Sequence, residues 1–522
     1  MVYSHDGSAI WPPLMPANRT LRYCYFILCL FTLSLIASFV VADGFAPAGR
    51  KLSKVTGIDP TGYFGVSHAL LFHRNFNLTE EYTRVKPDEN PWTAVRKETG
   101  MPGTIWAIGY SILATPFLAT GTLVDAADGH PADGYSRFAI LGYCMTNIVL
   151  TGVGMIALFT FLRDLAEFWA IPLPDSAIYA LFATFATFFG TSVGYYSVSP
   201  MSHASTFFCV SMFLACWWRV RNRTGLGSWA LLGLIAGFLS ITRWQDIFFI
   251  GGPLLCDLIG APLDFRKRLA CRIGYLIAAG VCWIPQIAEW KFIFGKYAPP
   301  SPGDGFFVFP PLFVLQALFS TRNGWVAWTP LVLLGIAGLI WSAIRVPRLF
   351  LPWVVVLSLE LALTGSMRTW HGGEGLGNRY MTSSTPLIAL GVLTLVCLTR
   401  GYMRTAVIAG TVACSLFSVI SAVQFRLDLV PRDDRLTLSE YLTDKLRLRE
   451  VRRRKVAVKE AESLLERGSP ADAARVLETA EFYGPDRDVL RDLSKAYREG
   501  GDPLKAQQVD QQLQLLVQNR LF

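Results

Sequence analysis

A glycine-rich segment late in the chain has the composition of a ligand-binding loop. Glycine allows the backbone to approach a ligand closely, and an arginine guanidinium can donate two hydrogen bonds to one phosphate group. A plain turn does not require so many polar and aromatic side chains, and functional groups concentrate on loops that a rigid scaffold holds. We therefore interpret this segment, the glycine loop (residues 370–380), as ligand-facing. Its candidate residues are Trp370, His371, Arg379 and Tyr380.

A second candidate is the carboxylate of Asp59, which follows the first apolar segment of the chain. If that segment crosses a membrane, the carboxylate can meet a lipid-borne substrate and act as a base. The same residues also suit the start of a helix, with Asp59 as the N-cap and Pro60 at the first helical position. Local sequence leaves both interpretations open.

Further polar groups stand at the ends of other apolar segments. Tyr196 and His203 flank a short polar run between two of them, and Arg243 closes another, three residues before Asp246. Tyrosine and tryptophan are common at membrane interfaces and mean little alone. An arginine and a carboxylate between two apolar segments are costly unless they are paired or used. A structural pair of Arg243 with Asp246, or a contact of Arg243 with phosphate or sugar, would account for them.

The elements that must position these groups are transmembrane helices. Of the 522 residues, 52% are hydrophobic and 17% are charged, which is too apolar for an ordinary soluble multidomain protein. A spanning helix needs roughly 20 mostly apolar residues, and the sequence predicts about eleven of them in an all-α transmembrane bundle. The predicted spans are 23–42, 138–162, 174–192, 203–218, 228–242, 244–260, 273–290, 326–343, 349–365, 383–398 and 405–424.

The net charge of +9 comes largely from basic residues in short loops between the predicted spans. With these spans the basic loops share one face, which is the pattern of a cytoplasmic face. The basicity therefore indicates topology and not nucleic-acid binding, and it places the N-terminus in the cytoplasm. The basic groups are Arg19 and Arg22; Arg219, Arg221 and Arg223; Arg266, Lys267, Arg268 and Arg272; Arg345 and Arg348; and Arg400 and Arg404.

Residues 101–124 are also apolar and long enough to span a membrane. Counting them as a span would turn the later basic loops to the outside, against the charge rule. We therefore predict a re-entrant or membrane-skimming helix at 101–124, inside a first outer loop that covers 43–137. The candidate residues then share the outer face.

Residues 426–522 form a polar tail, which we predict to be a soluble helical domain after a membrane domain at 1–425. Its residues match a tetratricopeptide repeat in part, and a generic helical hairpin is the alternative. An odd number of spans places the tail outside. Its basic run, 452–455, is either a solvated helix face or a contact with anionic lipid head groups. The repeat-like positions are Leu464, Ala473, Leu477, Ala480 and Pro485.

The order of these features resembles the GT-C class of membrane glycosyltransferases, in particular bacterial relatives of protein O-mannosyltransferases and of the lipid A aminoarabinose transferase. The likeness covers about residues 20–425, from the first span and Asp59 to the glycine loop. It implies an inverting transfer of sugar from a polyprenyl-phosphate donor on the periplasmic face of a bacterial inner membrane. By this resemblance Asp59 is the general base, and Arg379 or Arg243 stabilises the departing phosphate.

The chain departs from this class at one point. Many relatives carry a second acidic residue beside the first or in the second outer loop, whereas Asp59 precedes a proline and the 193–202 loop has no carboxylate. The sequence therefore gives no support for a metal, and the mechanism needs no bound cofactor. Cysteine metal ligation is not expected either, because no two cysteines have CxxC spacing. Folding could still bring Asp88, Glu89 or Glu374 to Asp59.

The expected partners are the lipid-linked sugar donor, membrane lipids, a glycan, lipid or protein acceptor, and a protein bound by the tail. An O-antigen ligase or polymerase is an alternative, but it should carry key arginines and a histidine in a large late outer loop. The 291–325 loop offers only Lys291, Lys296 and Arg322. A transporter would show inverted repeats, and none is visible. A membrane scaffold would tolerate loss of Asp59.

Overall fold

The computed structural model describes residues 19–44, 55–85, 93–259, 265–299, 305–432, 434–481 and 486–518. Within these ranges the chain is helical and forms no β-strand, so the all-α prediction is confirmed for them. Six of the described helices are long and apolar enough to cross a membrane, which indicates a multi-pass membrane protein. They are Arg19–Asp43, Arg137–Phe168, Arg268–Phe294, Pro347–Ser366, Arg379–Leu398 and Gly401–Arg426.

The other predicted spans are also helical, but they are shorter or less apolar. The figure of about eleven spans therefore stays a prediction. Three of these helices are apolar and have 10–17 residues: Asp175–Gly190, Leu226–Thr242 and Leu331–Arg345. The remaining two are Ser202–Val220 and Phe248–Ile259.

The centre of the bundle is the helix Arg379–Leu398. Its apolar window is 94% buried, against 17% for the peripheral helix Gly401–Arg426. Glycines let it pack with its backbone against a neighbour, as is common between membrane helices. A Cβ on Gly338 would lie 1.9 Å from the carbonyl oxygen of Gly391, so neither residue can be larger without displacing a helix.

The candidate residues gather at one end of the bundle, which we call the site end. The helix Ser202–Val220 has His203 in its first turn and Arg219 in its last. Arg243, which follows the helix Leu226–Thr242, donates a 3.0 Å hydrogen bond to His203, so the two helices are antiparallel. A helix of 19 residues is about 28 Å long, close to the roughly 30 Å of a hydrocarbon core. His203 at the site end and the basic residue Arg219 thus lie at opposite ends of this helix.

The predicted skimming helix begins later than expected, because the helix covers Gly109–Ala127. The backbone N–H of Gly103 donates to the carbonyl of Ala94, and the backbone N–H of Arg96 donates to the carbonyl of Met101. Residues 94–103 therefore form a turn, and the predicted helix does not begin at residue 101. The segments that flank the Gly109–Ala127 helix both contact the outer-loop helix Ile58–Phe72. Trp106, which precedes it, contacts Asp59, and the carbonyl oxygen of Asp133, which follows it, lies 2.8 Å from His68. This placement fits a skimming helix, and the topology itself stays a prediction.

Four helices in the described part of the tail share a hydrophobic core of their own. The repeat-like residues Ala473, Leu477 and Ala480 are buried in it, whereas Pro485 lies outside the described residues. Asp510, a polar residue at an apolar position of the repeat, accepts a 2.6 Å hydrogen bond from Ser494. The tetratricopeptide assignment stays a prediction. The helices are Leu448–Glu466, Pro470–Glu481, Arg487–Glu499 and Pro503–Gln518.

The basic run of the tail does not form a single exposed face. Arg454 is buried and forms a 2.8 Å ion pair with Asp444, and Lys455 pairs with Asp488, so only the first two residues of the run are exposed. The start of the tail also docks on the bundle, where the Tyr441 hydroxyl donates to the carbonyl of Ala327 at 2.6 Å.

Cysteine labelling tests the topology. We expect a membrane-impermeant maleimide added to intact cells to label Lys495→Cys in the tail and Asp128→Cys after the skimming helix. Tyr402→Cys at the basic end should react only after permeabilisation, because basic loops stay cytoplasmic. The unsubstituted chain controls for native cysteines. Labelling of Tyr402→Cys in intact cells, with Asp128→Cys and Lys495→Cys both protected, would show that the helix Gly109–Ala127 crosses the membrane.

Candidate active site

Several helix ends enclose a cavity of about 580 Å³ at the site end. It has a polar wall, which includes most of the predicted site residues, and an apolar wall. The predicted residues on its surface are Asp59, His203, Arg243, Arg379 and Tyr380. The apolar lining includes Ile105, Ile247, Phe306, Phe307, Leu363 and Met367.

Asp59 points into this cavity from the first turn of its helix. The N-cap of that helix is Gly57, with a φ of 110°, and no side chain caps it, so the N-cap interpretation of Asp59 is wrong. One carboxylate oxygen accepts a 3.1 Å hydrogen bond from the indole N–H of Trp106. The other forms an ion pair with the guanidinium of Arg379. The carboxylate is thus held by two donors from distant parts of the chain.

Trp106 reaches Asp59 only because a glycine lies on the Asp59 helix. A Cβ on Gly62 would lie 2.1 Å from the Trp106 ring, closer than any side chain permits. Sequence reasoning missed Trp106, because a tryptophan in an apolar segment is common at a membrane interface.

The glycine loop surrounds Arg379. Gly372 and Gly373 have a φ of 68°, in the left-handed region, and a Cβ on Gly375 would lie 2.9 Å from the Arg379 side chain. Asn378 anchors the loop by donating a 3.1 Å hydrogen bond to the carbonyl of Trp370. The glycines therefore make room for the arginine, which in turn faces the cavity. Its Nε is buried and has no hydrogen-bond partner, so the guanidinium retains a free donor.

Arg243 serves a different purpose, because its hydrogen bonds go to the protein. One nitrogen, Nη1, donates to His203 Nδ1 at 3.0 Å and to the carbonyl of Arg379 at 2.9 Å. Gln245 completes the arrangement by donating to the carbonyl of Tyr380 at 2.6 Å. A guanidinium only donates, so His203 accepts at Nδ1 and carries its proton on Nε2. Arg243 is a positioning residue for the backbone that presents Arg379.

Two buried carboxylates lie behind this layer. Asp246 and Glu360 are fully buried, and none of their carboxylate oxygens has a hydrogen-bond partner. Both interact electrostatically with Arg243, but the direct pair of Arg243 with Asp246, one of the two interpretations of the sequence, does not form. Sequence reasoning missed Glu360, although a lone glutamate within a predicted span is a known sign of function.

The remaining predicted residues support the cavity from outside its lining. The Tyr196 hydroxyl donates to the carbonyl of Leu376 at 3.2 Å, and its ring centroid lies 4.8 Å from that of His203. His371 accepts the Gly373 backbone N–H at 3.1 Å. Burial, with help from the charge of Arg322, lowers the pKa of His371, so this imidazole is neutral at physiological pH.

The cavity also holds a hydroxyl pair that the sequence did not reveal. The Tyr63 hydroxyl lies 2.8 Å from the Ser202 hydroxyl. Burial raises the pKa of Tyr63 to about 12, so the phenol stays protonated and can donate a hydrogen bond to a ligand. Among the described lining residues Asp59 is the one carboxylate. Glu374 is exposed and lies outside the lining, and residues 88 and 89 lie outside the described ranges.

No protein-family model matches the chain, and no curated protein matches it in sequence. What the fold and the site define is a multi-pass helical membrane protein with a cavity at one end of its bundle, where a carboxylate meets an arginine. The resemblance to GT-C enzymes stays a prediction from the order of the motifs.

The contact of Trp106 with Gly62 gives a stability prediction. Gly62→Ala should displace the indole and destabilise the protein by about 1–3 kcal/mol, as overpacking does. Gly65→Ala on the same helix is the matched control, because its Cβ would meet its neighbours at an ordinary 3.5 Å or more. Thermal unfolding in one detergent measures both. A Gly62→Ala variant as stable as the wild type would contradict the packing described here.

Proposed function

We propose that the chain is a glycosyltransferase that moves a sugar from a polyprenyl-phosphate donor to an acceptor hydroxyl on the outer face of the membrane. The observation that carries the proposal is the contact of Asp59 with Arg379 in a cavity with a polar and an apolar wall. A carboxylate can take the proton of a hydroxyl, and a guanidinium suits phosphate oxygens.

The walls of the cavity suit the two halves of such a donor. The phosphate and sugar would lie at Arg379, whose Nε has no partner in the protein. The isoprenoid chain would follow the apolar wall toward the exposed residues Phe309, Leu312 and Leu315, beyond Phe307. Exposed apolar side chains of this kind fit a lipid-borne chain better than a water-soluble nucleotide. Of the two predicted phosphate ligands, we favour Arg379, because Arg243 is engaged by the protein.

The proposed reaction is a single displacement at the anomeric carbon. The acceptor oxygen forms a bond to that carbon while the bond from carbon to phosphate oxygen breaks, and the configuration inverts. The acceptor proton passes to the Asp59 carboxylate. The electron pair leaves with the lipid phosphate, whose charge Arg379 stabilises. A positioned base contributes about 10²- to 10⁴-fold to a rate, and stabilisation of developing charge contributes at least as much.

The ion pair couples donor binding to the base. Before a ligand arrives, Arg379 occupies one oxygen of the Asp59 carboxylate. A phosphate that takes over the guanidinium competes with Asp59 and leaves its carboxylate available to the acceptor. The base is thus most reactive when the donor is in place.

Other functions receive less support from the same residues. A ligase or polymerase with a diphosphate-linked substrate would use basic residues of the late outer loop, but Lys291, Lys296 and Arg322 do not line the cavity. A scaffold would not need a carboxylate and a cation that face each other in a cavity. We further propose that the site faces the bacterial periplasm and that the tail binds an acceptor or a protein partner.

Replacing the base tests the proposal directly. Asp59→Asn keeps the size of the side chain but cannot take a proton, so transfer should fall by about 10²-fold or more while donor binding persists. Glu374→Gln is the matched control, since this carboxylate is exposed and outside the cavity lining. Transfer from a radiolabelled polyprenyl-phosphate sugar in one detergent preparation measures both variants. Near-normal transfer by Asp59→Asn would exclude the proposed mechanism.

Replacing the phosphate ligand tests the second role. In Arg379→Lys a compact ammonium replaces the planar fork, and affinity for polyprenyl phosphate should fall about tenfold or more, which corresponds to about 1.4 kcal/mol. Arg368→Lys is the control, because Arg368 is exposed and lies outside the cavity lining, close to the glycine loop. Equilibrium binding of the lipid, with thermal unfolding as a check on folding, gives the comparison. Equal affinities would remove Arg379 as the phosphate ligand.

A further inference from the structure

A cluster of two histidines and a glutamate lies outside the cavity, where the helix Ile58–Phe72 meets the helix Thr79–Val85. The ligand atoms of His68, His73 and Glu81 all lie within 4.8 Å of one another. None of the three residues lines the cavity. We propose that they bind one divalent transition-metal ion, for which zinc is the best chemical match.

The hydrogen bonds of His68 support a metal ligand at its Nδ1 atom. Its Nε2 lies 2.8 Å from the carbonyl oxygen of Asp133, which can only accept, so the ring proton is on Nε2. In a neutral ring Nδ1 then presents a lone pair to the Glu81 carboxylate, 2.8 Å away. Two lone pairs at this distance need a cation between them, which is either a proton or a metal ion. A histidine that donates its second N–H to a backbone carbonyl is the usual arrangement around protein-bound metals.

Glu81 supplies an independent observation. Its side chain is fully buried, and its second oxygen, Oε2, has no hydrogen-bond partner. A buried polar group without a hydrogen-bond partner destabilises the folded protein, and a charged group does so more strongly. A metal ion would compensate the charge of this carboxylate.

The distances and the ligand types favour zinc. Ligands of tetrahedral zinc at about 2.1 Å from the ion lie about 3.4 Å apart. His73 Nε2 is 3.5 Å from Glu81 Oε1, and a small opening of the contact between His68 and Glu81 would accommodate an ion. Imidazole and carboxylate together suit zinc and its neighbours, whereas calcium and magnesium prefer oxygen alone. Water or Glu80, 3.3 Å from His73 Nε2, completes the coordination.

The site would be structural. His68 lies nine residues after Asp59 on one helix, which corresponds to about 13 Å. The ion would join this helix to the helix Thr79–Val85, and the ion pair of Arg84 with Asp133 at 2.6 Å already closes the same corner. A metal here would hold the helix that carries Asp59 without touching the reacting groups.

Metal binding by the full chain in detergent, without a polyhistidine tag, tests this inference. After chelation and desalting, the wild type should bind about one equivalent of Zn²⁺ by mass spectrometry and should melt at a higher temperature with Zn²⁺ present. Co²⁺ should give visible absorption of a four-coordinate site. His73→Gln should lose all three effects and still fold, because this side chain is one-third exposed.

The matched control is His130→Gln, an exposed histidine 3.3 Å from Asp128, which should behave as the wild type does. Equal Zn²⁺ binding by the wild type and His73→Gln, or no binding by the wild type, would overturn the proposal and leave a protonated ion pair of His68 with Glu81. The proposal does not depend on the transferase function, because its readouts do not include activity.

Discussion

The ion pair between Asp59 and Arg379 is the interaction on which the rest of the site depends. It joins residues that lie 320 positions apart in the chain, and different contacts position each of the two side chains. The Asp59 helix makes room for Trp106 through a glycine, and the glycine loop makes room for the arginine. Arg243 holds the backbone from which Arg379 projects. Both side chains of this ion pair are only about one-fifth exposed, so removing their charges from water is costly. The contacts that hold the two residues in place help to compensate this desolvation cost.

The candidate residues could be predicted because each is of a type that apolar surroundings tolerate poorly. An arginine or a carboxylate at the end of an apolar segment must be paired or used, and Asp59, Arg243 and Arg379 follow this rule. Their separate roles could not be predicted. Arg243 and Arg379 look alike in sequence, and only the contacts show that one positions the backbone while the other keeps a free donor.

Local spacing makes Asp59 a good N-cap and residues 101–124 a good helix, but the folded chain has its N-cap at Gly57 and a turn at residues 94–103. The carboxylate of Asp59 instead reaches two distant partners, Trp106 and Arg379. In the tail, the basic run 452–455 looks like one exposed face in the sequence. Arg454 and Lys455 instead form ion pairs with acidic residues of the same domain. The tryptophan beside Asp59 was missed because its hydrogen-bond partner comes from another part of the chain.

The contact of Gly338 with Gly391 has a consequence for motion. Where two backbones touch, helices cannot slide or rotate without a clash, so the central helix and its neighbour behave as one rigid body. A conformational change of the bundle must then fall on segments outside this helix pair. Arg379 and Tyr380 begin the central helix, so they form the fixed part of the cavity, and any change in its shape must come from other lining segments.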